Sequence, residues 1–274
     1  MSFGPLAALV VVLYDQTVNT DKNYYARISR MSSAWITLPL VTAFASAAPA
    51  QDQSEGIFLE ANILGIFYHE LAHAIVDVES VPIFGQEEDA ADVFSIYMIH
   101  SLFEEEVAQE LAYEASFGFW GEAVLRENGS NDVAWWDVHG PDEQRYYNTV
   151  CIFYGGNPDA REEFAESLEL PEYRAESCPF EFDQADSSWG LVLDELVERG
   201  AGQTLRFHES DDSFTTQILK DEIAALNEEL SLSDTIDVRV ESCGEANAFY
   251  DPNSREIVFC SEFEDHLIEL ESKL

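Results

Sequence analysis

Two histidines and three carboxylates form the strongest chemical pattern in the chain. In His69-Glu70-Leu71-Ala72-His73 the two imidazoles are four residues apart. On a helix both project from one face and can bind one ion. Glu70 lies beside them, placed to take a proton from a water that the metal activates, and zinc lowers the pKa of such a water towards neutrality. A third ligand is still required. In one known arrangement a glycine turns the helix three residues on and a histidine or aspartate follows. The chain has Val76 and Glu79 at those places, which leaves Glu79 a weak candidate. The better source is Glu88-Asp89-Ala90-Ala91-Asp92, where Glu88 and Asp92 are four apart and share a face. Glu88 could ligate the metal while Asp92 accepts a hydrogen bond from a ligating histidine and fixes its tautomer. The metal set is therefore His69, His73 and Glu88, with Zn2+ as the ion, Glu70 as general base and Asp92 behind a ligand.

These residues need two helices that face each other. From Gln51 to about Asn128 the pattern is helical, with Ile63, Ile66, Phe67, Leu71, Ala74 and Ile75 recurring at helical spacing. Val81 to Gly85 reads as a connecting loop, short enough to set the next helix, about Gln86 to Phe103, antiparallel and to return Glu88 towards His73. Ala90 and Ala91 allow close approach. A third helix spans roughly Glu106 to Glu127, and Glu127 to Asp132 breaks it by turn chemistry. After Trp135-Trp136-Asp137-Val138-His139-Gly140 a helix is expected from Pro141 or Asp142 to Phe153, stopped by Gly155-Gly156-Asn157-Pro158. Short helical stretches fit near 159–168 and 187–199, and a helix from Phe214 to Leu230 has Ser213 as a suitable N-cap. Thr235 to Glu241, Asn247 to Tyr250 and Glu256 to Cys260 have strand character, with a turn at Asp251 to Ser254.

Hydrolysis of an acyl compound also needs a donor for the developing oxyanion. His139 leads, with Tyr146, Tyr147 and Arg145 behind it, although His139 could equally cap the following helix, and an arginine in so acidic a chain is usually a carboxylate's partner. His100, His208 and His266 have no partner spacing and are expected to be ordinary surface or core residues. Asn247 to Tyr250 could serve as an edge strand for an extended peptide, but an internal strand is the preferred expectation.

The charge balance is extreme, with 54 acidic residues against 13 basic. A field of that sign repels nucleic acid and anionic lipid, so neither is an expected partner. A solvated acidic surface is the simpler reading, and an acidic face that selects basic substrates the sharper one. Arg27 and Arg30 precede an apolar run from Trp35 to Ala45, which ends in Ala48-Pro49-Ala50. That order is the order of a secretory signal. Residues 1–50 are accordingly expected to be an N-terminal extension and signal, with Met31 as an alternative start and Gln51 as the first mature residue. The rest, 51–274, is expected to be a single domain without a membrane span, secreted or periplasmic. Cys151, Cys178, Cys243 and Cys260 fit two disulfides, and spacing favours Cys151–Cys178 and Cys243–Cys260 over the two other pairings.

The segment HELAHAIVDVESVPIFGQEEDAADVFS resembles the core of the DUF4344 metallopeptidases, with the gluzincin pattern of H-E-x-x-H followed by E-x-x-x-D. The stretches from His139 to Asn148, Cys151 to Gly155 and Cys243 to Pro252 are similar to that family too. The resemblance implies His69, His73 and Glu88 as zinc ligands, Glu70 as general base and Asp92 behind the ligands. It also implies Asn-Ala-Phe-Tyr-Asp-Pro ahead of the H-E-x-x-H helix, because a sheet normally precedes that helix in gluzincin-like folds, whereas here it follows at 247–252. The expected fold is α+β, a mostly helical zincin-like domain with a small antiparallel β-meander. The expected function is hydrolysis of peptide bonds in a peptide or protein substrate, and the competing one is an exported zinc-binding or partner-binding domain without peptidase activity. A cleft open beside His73 would favour the enzyme, and a closed one the binding domain.

Overall fold

The computed structural model describes residues 54–274 with the exception of Ser130 and Ser210. The expected extension and signal at 1–50 lie outside the described residues. Four helices come first: α1 (Ser54–Glu79), α2 (Glu87–Leu102), α3 (Glu105–Asn128) and α4 (Asp142–Gly156). The expected boundaries hold to within a few residues. Helix α1 is the central element. Phe58, Leu59, Ala61, Ile63, Phe67, Leu71 and Ile75 are all buried and are spread around its axis, as a helix enclosed by neighbours requires. It packs on α2 and α3, and elsewhere on helix α9 (Phe214–Glu229), helix α10 (Glu262–Glu271) and the sheet. The helix ends where Ser80 takes a positive φ of 56° and Val81 N–H donates back to Val76 O, so the chain reverses at once into α2.

Between α4 and the sheet lie α5 (Glu162–Ser167), α6 (Glu172–Ala175), α7 (Cys178–Ala185), a π-helical turn (Asp186–Gly190) and α8 (Leu191–Arg199). The stretch expected to be helical near 187–199 is the end of a longer rod that starts at Cys178. Its Trp189 donates from Nε1 to Ala90 O at 2.9 Å, bracing α2 between Glu88 and Asp92. Ser213 caps α9 as expected, its side chain accepting from Thr216 N–H.

The sheet departs from the expected meander. It has four strands, β1 (Leu205–His208), β2 (Ile236–Glu241), β3 (Ala248–Asp251) and β4 (Glu256–Cys260), in the order β1-β2-β4-β3. Strand β2 runs parallel to both β1 and β4, and only β3 and β4 are antiparallel. The reason is a side exchange. The β3–β4 hairpin closes through its turn, but β4 rather than β3 takes the place beside β2, burying Ile257, Val258 and Phe259 and pushing β3 to the rim. The 247–250 segment, expected to be internal, is thus an edge strand. Both favoured disulfides are present, Cys151–Cys178 and Cys243–Cys260, and the second ties the start of the β3 connection to the end of β4. Among the described residues no helix is long and apolar enough to cross a membrane.

Candidate metal centre and its cleft

His69 and His73 stand one turn apart on α1, and their Nε2 atoms are 3.2 Å from each other. Glu88 comes from the second position of α2, where the partial positive charge of the helix N-terminus favours a carboxylate. Its Oε2 lies 3.1 Å from each of those Nε2 atoms. One ligand atom from each of the three residues falls within 4.8 Å of the others. Two imidazole nitrogens and a carboxylate oxygen so disposed could hold a divalent metal and leave a coordination position open to the cleft.

Both imidazoles are turned by what stands behind them. His69 Nδ1 is 2.8 Å from Asp92 Oδ1, and His73 Nδ1 is 2.8 Å from Glu87 Oε1. With Nδ1–H donated to a carboxylate, the Nε2 lone pairs are free to face the centre. Asp92 is itself clamped, since Arg145 donates from Nε to Oδ2 and from Nη2 to Oδ1, each at 2.7 Å. The Arg145 guanidinium lies 4.3 Å from the Phe119 ring centroid. Burial alone would raise the Asp92 carboxyl, but Arg145 and His69 hold it down at about 2. Burial opposes charge on His69 as well, yet Asp92 and Glu88 push it up to about 9 when no metal competes for the nitrogen. Hydrogen bonds from His139, His69 and His73 hold Glu88 well below the usual carboxylate range.

Glu70 is 8% exposed, and burial raises its carboxyl. The backbone N–H of Tyr250, on β3, donates towards it. His139 reaches the centre from the α3–α4 connection, with Nε2 3.0 Å from Glu88 Oε2 and its ring 5.8 Å from that of His69. Asp137 steadies it, accepting from the His139 backbone N–H at 3.1 Å and lying 3.5 Å from Nδ1. All five residues singled out in the sequence, together with His139, therefore meet at one place. Of the remaining donor candidates, Tyr146 and Tyr147 do not line the cleft, and Arg145 lines it but reaches the centre only through Asp92. Tyr146 is buried and donates to Leu168 O, and Arg145 is spent on Asp92. Glu79 pairs with Arg199 and points away from the centre. His100 sits against Arg161, His208 against Asp237 and His266 against Glu122.

Sequence reading missed Glu87, one acid in a row of three, and the placement of the 247–250 strand beside Glu70, which is a long-range contact. The centre opens into a cleft of about 850 Å³, lined on one side by α1 and α2 and on the other by Ala248, Phe249 and Tyr250.

The chain matches the family model DUF4344, described as "Putative metallopeptidase", over residues 25–193 and 207–273. The chain belongs to this family. Comparison with curated proteins and with solved structures gave no match. The matched segments of the DUF4344 family include every residue of the centre and the edge strand beside it.

Proposed function

We propose that the protein is a zinc-dependent metallopeptidase acting outside the cytoplasm. The observation that carries this reading is the convergence of His69, His73 and Glu88 beside a buried Glu70 in a cleft that stays open. The donor set suits zinc, as two nitrogens and one oxygen in a site with room for a fourth ligand are characteristic of catalytic zinc. When bound there, zinc would polarise a substrate carbonyl and lower the pKa of water towards neutrality.

The chain's own residues supply the rest. Glu70 accepts a proton from the attacking water, whose oxygen bonds to the peptide carbonyl carbon. As the carbon–nitrogen bond breaks, Glu70 returns that proton to the leaving nitrogen, so a carboxylic acid and an amine are formed. Its buried position raises its basicity, which suits a group that must both take and give a proton near neutrality. His139 stands at the centre with Nε2 against Glu88 Oε2 and Asp137 beside its ring, and a metal held by Glu88 would free that Nε2–H to donate to the oxyanion. The unpaired side of β3 offers backbone groups to an extended peptide, which supports peptide over other amide substrates. Two disulfides support an oxidising compartment, secreted or periplasmic.

The test pairs metal content with cleavage of a peptide library. Wild type should carry about one zinc per chain and cleave, His73→Ala should lose both, and Glu70→Gln should keep zinc while losing turnover. Full activity in Glu70→Gln, or no zinc uptake by folded wild type, would sink the reading.

A further inference from the structure

The cleft extends beyond the metal centre along α1. Asn62, Ile66 and Glu70 occupy successive turns of one helix face, so the cavity runs on for roughly 12 Å from Glu70 at 1.5 Å per residue. Its walls there are apolar, built by Ile66, Phe119, Leu267 and Leu270. Gly65, Ala115 and Gly118 line it without adding bulk, and a Cβ on Gly65 would make only ordinary contact with Ser95 Oγ at 3.7 Å and Ala115 Cβ at 3.9 Å. The far end is polar. Asn62, only 5% exposed, donates both Nδ2 protons within the protein, to Phe58 O at 2.8 Å and to Glu114 O at 3.1 Å. Among the described residues no group donates to its Oδ1. A Cβ on Gly118 would come within 1.9 Å of that oxygen, so the glycine is what gives the oxygen its place in the wall.

An amide oxygen that lines the cleft with no donor from the protein keeps its acceptor capacity for a ligand, which gains a hydrogen bond there by bringing the donor. We propose that this chamber is a specificity pocket for a tyrosine side chain, with Asn62 Oδ1 accepting its hydroxyl proton. An apolar ring fills the walls, and the hydroxyl lies at the ring's far end, where the acceptor stands. Which side of the scissile bond the tyrosine occupies rests on the peptidase reading. Glu70 returns the proton to the leaving nitrogen, and Ile66, at the pocket mouth, lies one turn from Glu70 on the same face. The residue that contributes the leaving nitrogen therefore sends its side chain into the chamber.

The experiment compares peptides identical except for tyrosine, phenylalanine, lysine, leucine or alanine at that residue. Dissociation constants are measured on the zinc-loaded Glu70→Gln protein and kcat/KM on zinc-loaded wild type. Tyrosine should exceed phenylalanine about tenfold in both, as a site built around a substrate hydroxyl discriminates against its absence. Asn62→Leu should abolish or reverse that ratio. Because this variant also loses the ties to Phe58 and Glu114, Ala115→Leu provides a second readout: it shortens the chamber from the opposite wall and should lower the tyrosine-to-alanine ratio. Phenylalanine equal to tyrosine, lysine preferred, or ratios unmoved by either variant would overturn the proposal. A tyrosine preference in binding without any cleavage would keep the pocket and remove the peptidase reading. Cleavage without that preference would do the reverse, and neither binding nor cleavage would remove both.

Discussion

Replacing Asp92 by alanine should weaken metal binding far more than the same change at Glu87, although each carboxylate lies 2.8 Å from the Nδ1 of a metal-facing histidine. The difference lies in what water can replace. The Glu87 side chain is 46% exposed, so when it is removed a water can accept the His73 Nδ1 proton, and the loss should be on the order of 0.5 kcal/mol, or about twofold in affinity. Asp92 is 12% exposed and is held in a two-point clamp by Arg145. Outer-sphere carboxylates of this kind are worth about 10–100-fold in metal affinity, and the burial and clamping place Asp92 at the upper end. Folding stability should separate in the same way. Asp92→Ala leaves the Arg145 guanidinium over Phe119 without its partner, which costs about 3–5 kcal/mol, while Glu87→Ala should stay within about 0.5 kcal/mol.

A double variant divides these two effects. Asp92→Met with Arg145→Met removes both charges and should recover most of the stability lost in Asp92→Ala, because an apolar pair of similar volume avoids the uncompensated cation. It should not recover metal affinity, since His69 still lacks an acceptor behind Nδ1. Affinity is read by competition with a chromophoric chelator and stability by urea denaturation of the metal-free protein. If Glu87→Ala lost as much affinity as Asp92→Ala, or if the double variant were as unstable as the single one, the account of a clamped and an unclamped histidine would be wrong.

Alanine at His139 should lower kcat by about 10²–10³-fold with zinc content unchanged, as loss of an oxyanion donor does; loss of zinc instead would make His139 a ligand. Removing the Cys243–Cys260 bridge, with a separation of 17 residues, should cost about 3 kcal/mol by denaturation and speed amide exchange at Ala248 and Tyr250, because β3 lies inside that loop. Burial and the neighbouring Arg161 guanidinium lower His100 to about 4. The unfolded chain therefore binds a proton below about pH 6.5 that the folded chain refuses until about pH 4, so stability should fall across that window by up to about 3 kcal/mol, and His100→Gln should flatten the pH profile of urea midpoints.

The gathering of His69, His73, Glu88 and Asp92 was legible because its information is local. His69 and His73 share one helix, Glu88 and Asp92 share the next, and the reversal at Ser80 leaves little freedom between the two. Helix periodicity and a short loop are enough to bring such pairs together. The two disulfide pairings were legible for the same reason, each closing a short loop. Glu87 was not, because in Glu87-Glu88-Asp89 only the rotation of α2 decides which acid reaches which histidine. The role of Arg145 was readable only as a type, a cation in want of a carboxylate; its choice of Asp92 is made by α4 packing across α2. Strand β1 escaped because it is four residues long and alternates with Arg206 and His208. Helix α10 begins directly after β4 with three acids in its first turn, and its apolar side rests on Phe263, Leu267 and Leu270 set among charged residues.

Strand order is the deeper case. Whether β3 or β4 stands beside β2 depends on which hairpin strand buries more apolar surface against the helices. Ile257, Val258 and Phe259 are buried where Ala248, Phe249 and Tyr250 are not, so the inner place goes to β4. That same preference delivers β3 to the rim with its free side towards Glu70. The sheet follows the metal helix in the chain rather than preceding it, yet the site needs only an exposed strand edge alongside α1. Helix α1, enclosed on several sides, can receive that edge from a segment almost two hundred residues away as readily as from one just before it. Tyr250 makes the point concretely: its hydroxyl donates to Asp77 Oδ2 at 2.8 Å across a separation of 173 residues, fixing the rim of the cleft to the end of the helix that carries both histidines.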